Sequence, residues 1–236
     1  MISAALYTET LKSSLKFLKD AELLKQDATS FVGTTKPDSK KVAKSNRHTD
    51  IYQVAIENRD YSAVLIDDSI LQFFRDDATL RYAYIQNPLI HSSKEDYLNS
   101  FMTNEEISEM SNIELNTIMA EINENEYEQY LNEQAINTSA HLIRYDFSSI
   151  GYSPLVHSYS HFHIGPNPNV RIPCSRVLTP LSFILFVIKH TYYKDWKLLL
   201  NKVNGFQTIL ESCKNNCSLL DDPYWHSSES LDLYLS

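Results

Sequence analysis

The chain has 236 residues, 43% of them hydrophobic, and a formal net charge of −9. That size and composition fit a soluble globular protein with one large core or two small ones. Only four glycines are present, which excludes a glycine-rich phosphate loop: neither a Walker pattern nor G-x-G-x-x-G occurs. The three cysteines, Cys174, Cys213 and Cys217, are odd in number and lack zinc-knuckle spacing. No basic and apolar leader opens the chain, and its most apolar run, LSFILFVI at 181–188, is too short to span a bilayer. A reduced, cytoplasmic setting with no membrane partner is the expectation.

The negative charge is concentrated. From Glu95 to Ile143 there are eleven acidic residues and no Lys or Arg, while the remainder holds 21 basic and 19 acidic residues. A site outside this segment is therefore not governed by the global charge once salt screens it. The segment itself reads either as a solvated helical face or as a docking surface for a basic protein partner.

In chain order, residues 9–26 place Leu11, Leu15, Leu18 and Phe17 on one helical stripe. The polar, basic stretch 33–50 reads as a linker, and 50–60 as a short helix with Asp50 as N-cap. YSAVLI and SILQFF flank Asp67-Asp68 and suggest a hairpin, with LRYAYI at 80–85 as a third antiparallel strand. Residues 94–135 read as an acidic helical insertion, with Ser93 and Thr103 as caps and an apolar set of Ile113, Ile118, Met119 and Ile122. Strands return at 141–147, at SHFHIG within 159–165, and at 170–172. Residues 179–217 form C-terminal helices, with Pro180 in a favourable first-turn position and Asp195 as a cap. The tail beyond Cys217 is polar and expected to pack loosely. This order predicts one α+β domain over 1–236, with an N-terminal helix and linker over 1–50. Its single antiparallel sheet has five to six strands, with helices packed on it. LRYAY and IRYDF resemble each other and suggest two equivalent edges of that sheet.

The most informative stretch is HSYSHFHIGPNPNVRIP, 157–173. Strand side chains alternate faces, so an extended 157–164 puts His157, Tyr159, His161 and His163 on one exposed face. Phe162 and Ile164 then point to the core. The same alternation in LIRYDFS places Arg144 and Asp146 opposite Ile143, Tyr145 and Phe147, where they can flank the histidines. Arg171 follows on the next strand.

Such a site permits three chemistries. Neutral imidazoles with a carboxylate can hold a transition metal. Paired histidines can act as base and acid on a phosphodiester, with arginine stabilising the phosphate charge. The patch can also bind an anion or a nucleic-acid backbone without reaction. The expected catalytic residues are His161, His163, Arg171, Arg144 and Asp146. His157, Tyr145, Tyr159 and Arg176 are expected to contact substrate. No metal ligand is assigned and no cofactor follows from the residues. HExxH is absent, and the histidine spacing matches neither the histidine-triad hydrolases nor the two-histidine phosphoesterases. His48, His91 and His226 read as surface or turn residues, His190 as a helix C-terminal cation, and Cys174 as packing.

LRYAYIQNP, IRYDFS, HxHIG at 161–165, RIP at 171–173 and the apolar helix that follows resemble the DUF2290 family of bacterial proteins over about residues 55–200. RYD followed by a histidine-rich strand also resembles small toxins of bacterial toxin–antitoxin pairs, which implies a defence or growth-arrest setting. The first functional expectation is a cytoplasmic effector acting on RNA or another phosphodiester, in enzyme terms a nuclease or phosphodiesterase. Two alternatives stand beside it: a non-catalytic subunit of a defence or regulatory complex, and a metal-binding sensor.

Overall fold

A computed structural model describes residues 2–28, 48–88, 93–137, 141–165, 167, 169–203 and 205–236. The chain divides into two compact units, one of residues 1–86 with 141–236 and one of residues 87–140. Among the described residues, no helix is long and apolar enough to cross a membrane.

The larger unit is built on a seven-stranded, wholly antiparallel sheet whose strands follow chain order: β1 (Leu24–Asp27), β2 (Ala63–Leu65), β3 (Ile70–Arg75), β4 (Leu80–Ile85), β5 (Leu142–Phe147), β6 (Ser160–Ile164) and β7 (Ile172–Pro173). The fold class is the expected α+β, with one strand more than expected. The extra strand lies inside the stretch read as helix 9–26. Helix α1 (Ala4–Asp20) ends earlier, Glu22 takes φ 60, and Leu24 then pairs with Leu65. LRYAY and IRYDF are not edges; they are the adjacent central strands β4 and β5, with Tyr82 opposite Tyr145.

One sheet face carries the main core. Leu71, Phe73, Tyr82, Tyr145 and Phe162 pack there against α1 and against α7 (Pro180–Thr191). The expected stripe of Leu11, Leu15, Phe17 and Leu18 is buried. Helix α7 starts at a Thr179 cap with Pro180 behind it, as its sequence dictates. Helices α8 (Tyr193–Lys202) and α9 (Phe206–Asn216) follow, and Asp195 sits in the first turn of α8 rather than capping it. The other sheet face is divided. Near one end, Val64, Ile70, Ala83, Ile85 and Leu142 form a small cluster under α2 (His48–Glu57). Asp50 lies in the first turn of α2 rather than before it. The remaining part of that face is polar and carries the candidate site. Most of the expected linker, and His91, lie outside the described residues.

The tail is not loose. Leu219 bridges to Arg176, Leu235 bridges to Cys174, and Glu229 is buried within the 3₁₀ turn Ser227–Leu231. The three cysteines are free and buried.

The smaller unit contains the helices α3 (Lys94–Asn99), α4 (Asn104–Glu109), α5 (Asn112–Glu121) and α6 (Glu124–Asn137). Ser93 and Thr103 form the expected capping boxes, joined by Ser111. Tyr97 packs on Phe101, Tyr127 and Tyr130, whereas Ile113 stands in solvent.

Candidate functional site

Register assembles the site. Arg81, Asp146 and His161 lie directly opposite one another across β4, β5 and β6, and Arg144 is opposite His163 in the next row. Directly opposed Cβ atoms are about 4.5–5.5 Å apart, so five polar side chains meet on one patch of one face. Asp146 Oδ2 accepts from Arg144 Nε at 2.9 Å, and Oδ1 accepts from Arg81 Nε at 3.1 Å. His163 Nε2 lies 3.4 Å from Asp146 Oδ2 and 3.0 Å from His161 Nε2. His161 Nδ1 is 2.8 Å from the Ser158 carbonyl. A carbonyl only accepts, so Nδ1 carries a proton and, in the neutral ring, Nε2 offers a lone pair toward His163.

Burial raises the Asp146 pKa, but His163, Arg144 and Arg81 outweigh it and hold the carboxyl well below the usual carboxylate range. Burial, offset in part by Asp146, pushes His161 down to about 4. At neutral pH the cluster therefore contains a carboxylate and a neutral His161. His163 Nδ1 is buried without a hydrogen-bond partner among the described residues.

The histidines share a face opposite Phe162, but they are not exposed. His161 and His163 retain 3% and 4% of their accessible surface, comparable with Phe162 at 2%. Ile164, expected in the core, is 37% exposed at the strand end. The strand is also shorter than expected. The chain turns between Ser153 and His157, with Leu155 at φ 65, and becomes a strand only at Ser160. His157 reaches the site from this turn: its ring centroid is 4.9 Å from that of His161, and its Nδ1 donates to Gly151 O at 2.9 Å. Gly151 has φ 77, and a Cβ there would fall 2.8 Å from His157 Nδ1, so the turn requires glycine.

Three expected substrate contacts fall elsewhere. Tyr159 packs on Tyr152, Phe147 and Tyr224, away from the histidines. Arg176 donates to Cys217 O at 2.8 Å and borders a separate, mainly apolar groove. Tyr145 is fully buried on the core face. Its hydroxyl accepts from Leu178 N at 3.0 Å and lies 3.0 Å from Ser160 Oγ. Tyr145→Phe should therefore cost roughly 1 kcal/mol by orphaning a part-buried N–H, and should leave the chemistry of the opposite face intact. Urea unfolding together with a ligand-binding assay checks both halves of that expectation.

Beside the cluster is a cavity of about 150 Å³, walled by Ser158, His161, Asn169, Arg171, Glu229 and Asp232 among others. Arg171 is exposed just before β7 and has no hydrogen-bond or ion-pair partner among the described residues. Glu229 is buried. Its Oε2 accepts from Tyr152 Oη at 3.0 Å and His226 N at 2.9 Å, while Oε1 has no partner among the described residues. Arg81 and Glu229 are site residues that sequence reasoning missed. The likeness between LRYAY and IRYDF was the available signal for Arg81; no local pattern marks Glu229.

The fold and site define an α+β protein with an antiparallel meander sheet and a buried Asp–His–His cluster, of which His161 lines an arginine-bearing cavity. The sequence model of an uncharacterized conserved protein family, DUF2290, matches residues 18–220, and the chain belongs to that family. No curated protein and no solved structure matches the chain.

Proposed function

We propose that this protein is an effector of a bacterial defence or toxin-type system that acts on RNA or another phosphodiester in the cavity walled by His161 and Arg171. The observation that carries the reading is that Arg171, without a hydrogen-bond or ion-pair partner among the described residues, lines the same cavity as His161. Its planar fork suits two phosphate oxygens, which a point charge cannot match. Glu229 Oε1, buried and unpartnered on the same cavity, suits a proton acceptor for an attacking hydroxyl or water. The bacterial defence setting rests on the resemblance carried by RYD and the histidine strand.

His161 and His163 do not fit an acid and base working on substrate directly. Both nitrogens of His161 are engaged, and the Nε2 atoms of the two rings face each other. Their role in this reading is to stabilise the reacting group from behind the cavity wall. Arg144 and Arg81 position Asp146, and neither lines this cavity.

The test is cleavage of a single-stranded RNA oligonucleotide by the purified full-length chain. Arg171→Ala should slow it by roughly 10²–10³-fold, the usual cost of removing a preorganised anion donor. Arg171→Lys should recover only part of the rate. Intact RNA with the wild type, or equal rates for wild type and Arg171→Ala, would contradict the proposal.

A further inference from the structure

The geometry points to a divalent transition-metal centre formed by Asp146 Oδ2, His161 Nε2 and His163 Nε2. One ligand atom from each residue lies within 4.8 Å of the others, and all three residues are buried. The two ring nitrogens are 3.0 Å apart and the carboxylate oxygen is 3.4 Å from His163 Nε2. Two ligands at about 2.0–2.1 Å from a tetrahedral zinc ion stand roughly 3.3–3.4 Å apart. Two of the three edges already match that spacing, and the third, between Asp146 and His161, lies within 4.8 Å and closes on an ion.

The contacts around His161 and Asp146 are those a metal ligand needs. The His161 Nδ1–H donates to the Ser158 carbonyl, which fixes the tautomer and aims the Nε2 lone pair, as for metal-bound histidines generally. The two arginines orient Asp146, and each carboxylate oxygen keeps a lone pair beyond the one its arginine uses. Without an ion, two facing Nε2 atoms must share one proton. An ion at the meeting point engages both nitrogens and the carboxylate together.

The ligand set also selects the metal. Two imidazoles and one carboxylate suit zinc, cobalt, nickel or iron, whereas magnesium and calcium want oxygen donors. Two guanidinium groups on Asp146 further weaken its attraction for a hard cation. The cavity beside His161 supplies the side from which water or substrate would reach the ion.

Charge connects the ion to the proposed phosphodiester chemistry, on which this part of the inference rests. The cavity wall carries one cation, Arg171, against the carboxylates Glu229 and Asp232. A phosphodiester entering there meets a net negative wall. A dication at the cluster reverses that sign and can lower the pKa of a bound water.

Metal binding itself can be tested apart from that chemistry. Full-length protein is stripped with chelator, dialysed, and titrated with cobalt chloride by visible absorption and with zinc chloride by calorimetry. One equivalent should bind, with visible bands of nitrogen and oxygen ligation and no thiolate charge-transfer band from the cysteines. His163→Gln and Asp146→Asn should each lower affinity by more than about 100-fold, beyond the loss typical of outer-shell partners. Cys213→Ser should leave affinity unchanged, and excess magnesium should not compete. Imidazole ¹⁵N shifts of His161 and His163 in the wild type on adding zinc need no variant and should move at one equivalent. Absence of cobalt and zinc binding, thiolate absorption, or unmoved histidine shifts would overturn the centre. RNA left intact by metal-loaded protein would count against the phosphodiester reading and not against the centre.

Discussion

Phe183→Ala is expected to lower the unfolding free energy by about 3–5 kcal/mol, the usual range for a fully buried phenylalanine. Phe183 has no accessible surface. Its ring meets Phe73 edge-on at 6.1 Å, tilts against Tyr82 at 5.7 Å and stacks on Phe162 at 6.5 Å. Truncation removes an α7 side chain that touches rings from β3, β4 and β6. Against a total stability of about 5–15 kcal/mol for a domain, the loss is a large fraction. The site should suffer with it, because Phe162 is the core anchor between His161 and His163. Urea unfolding should give a lower midpoint at unchanged slope. A loss under about 1 kcal/mol would mean that the helix does not seat as described.

Asp146→Ala should cost nearly as much through a different mechanism. Removing the acceptor leaves Arg81, Arg144 and His163 facing one another without a counter-charge. Breaking a buried ion pair on one side costs about 3–5 kcal/mol. Here the arginines keep 43% and 28% of their side-chain surface and can turn toward water, so the lower end of that range is expected. The exposed pair of Lys202 and Glu22, at 60% and 81%, provides the contrast: Lys202→Ala should change stability by only about 0–1 kcal/mol. Both are read from denaturant midpoints at pH 7. Equal effects for the two substitutions would show that Asp146 is solvated rather than held by its arginines.

The central strands and the polar row were legible because alternation is a local property. LRYAYI, LIRYDF and SHFHI each carry their face assignment in their own residues, and one shared sheet was enough to bring Arg144 and Asp146 to the histidines. Strand β1 was not legible. Its residues LKQD are mostly polar and exposed, and they are extended because Leu65 lies alongside them. Arg81 was missed because its partner is 65 residues away in sequence. Burial of the histidines was also hidden, since the walls beside them come from the turn at 155–158 and from Glu229 and Asp232 in the tail. Tyr159 failed to join the site because extended alternation holds only after Ser160, where the turn ends. Nothing in the order of residues announces that Glu229 returns to the cavity.

The most direct measurement is phosphorus relaxation of a diribonucleoside monophosphate bound to cobalt-loaded protein. The proposed metal centre at Asp146, His161 and His163 and the proposed phosphate site at Arg171 share one cavity through His161. A paramagnetic ion there should sharply accelerate ³¹P relaxation relative to the zinc-loaded protein, and Arg171→Ala should abolish the effect while leaving cobalt bound. Relaxation that is the same with cobalt and zinc, under conditions where the dinucleotide is bound, would contradict it.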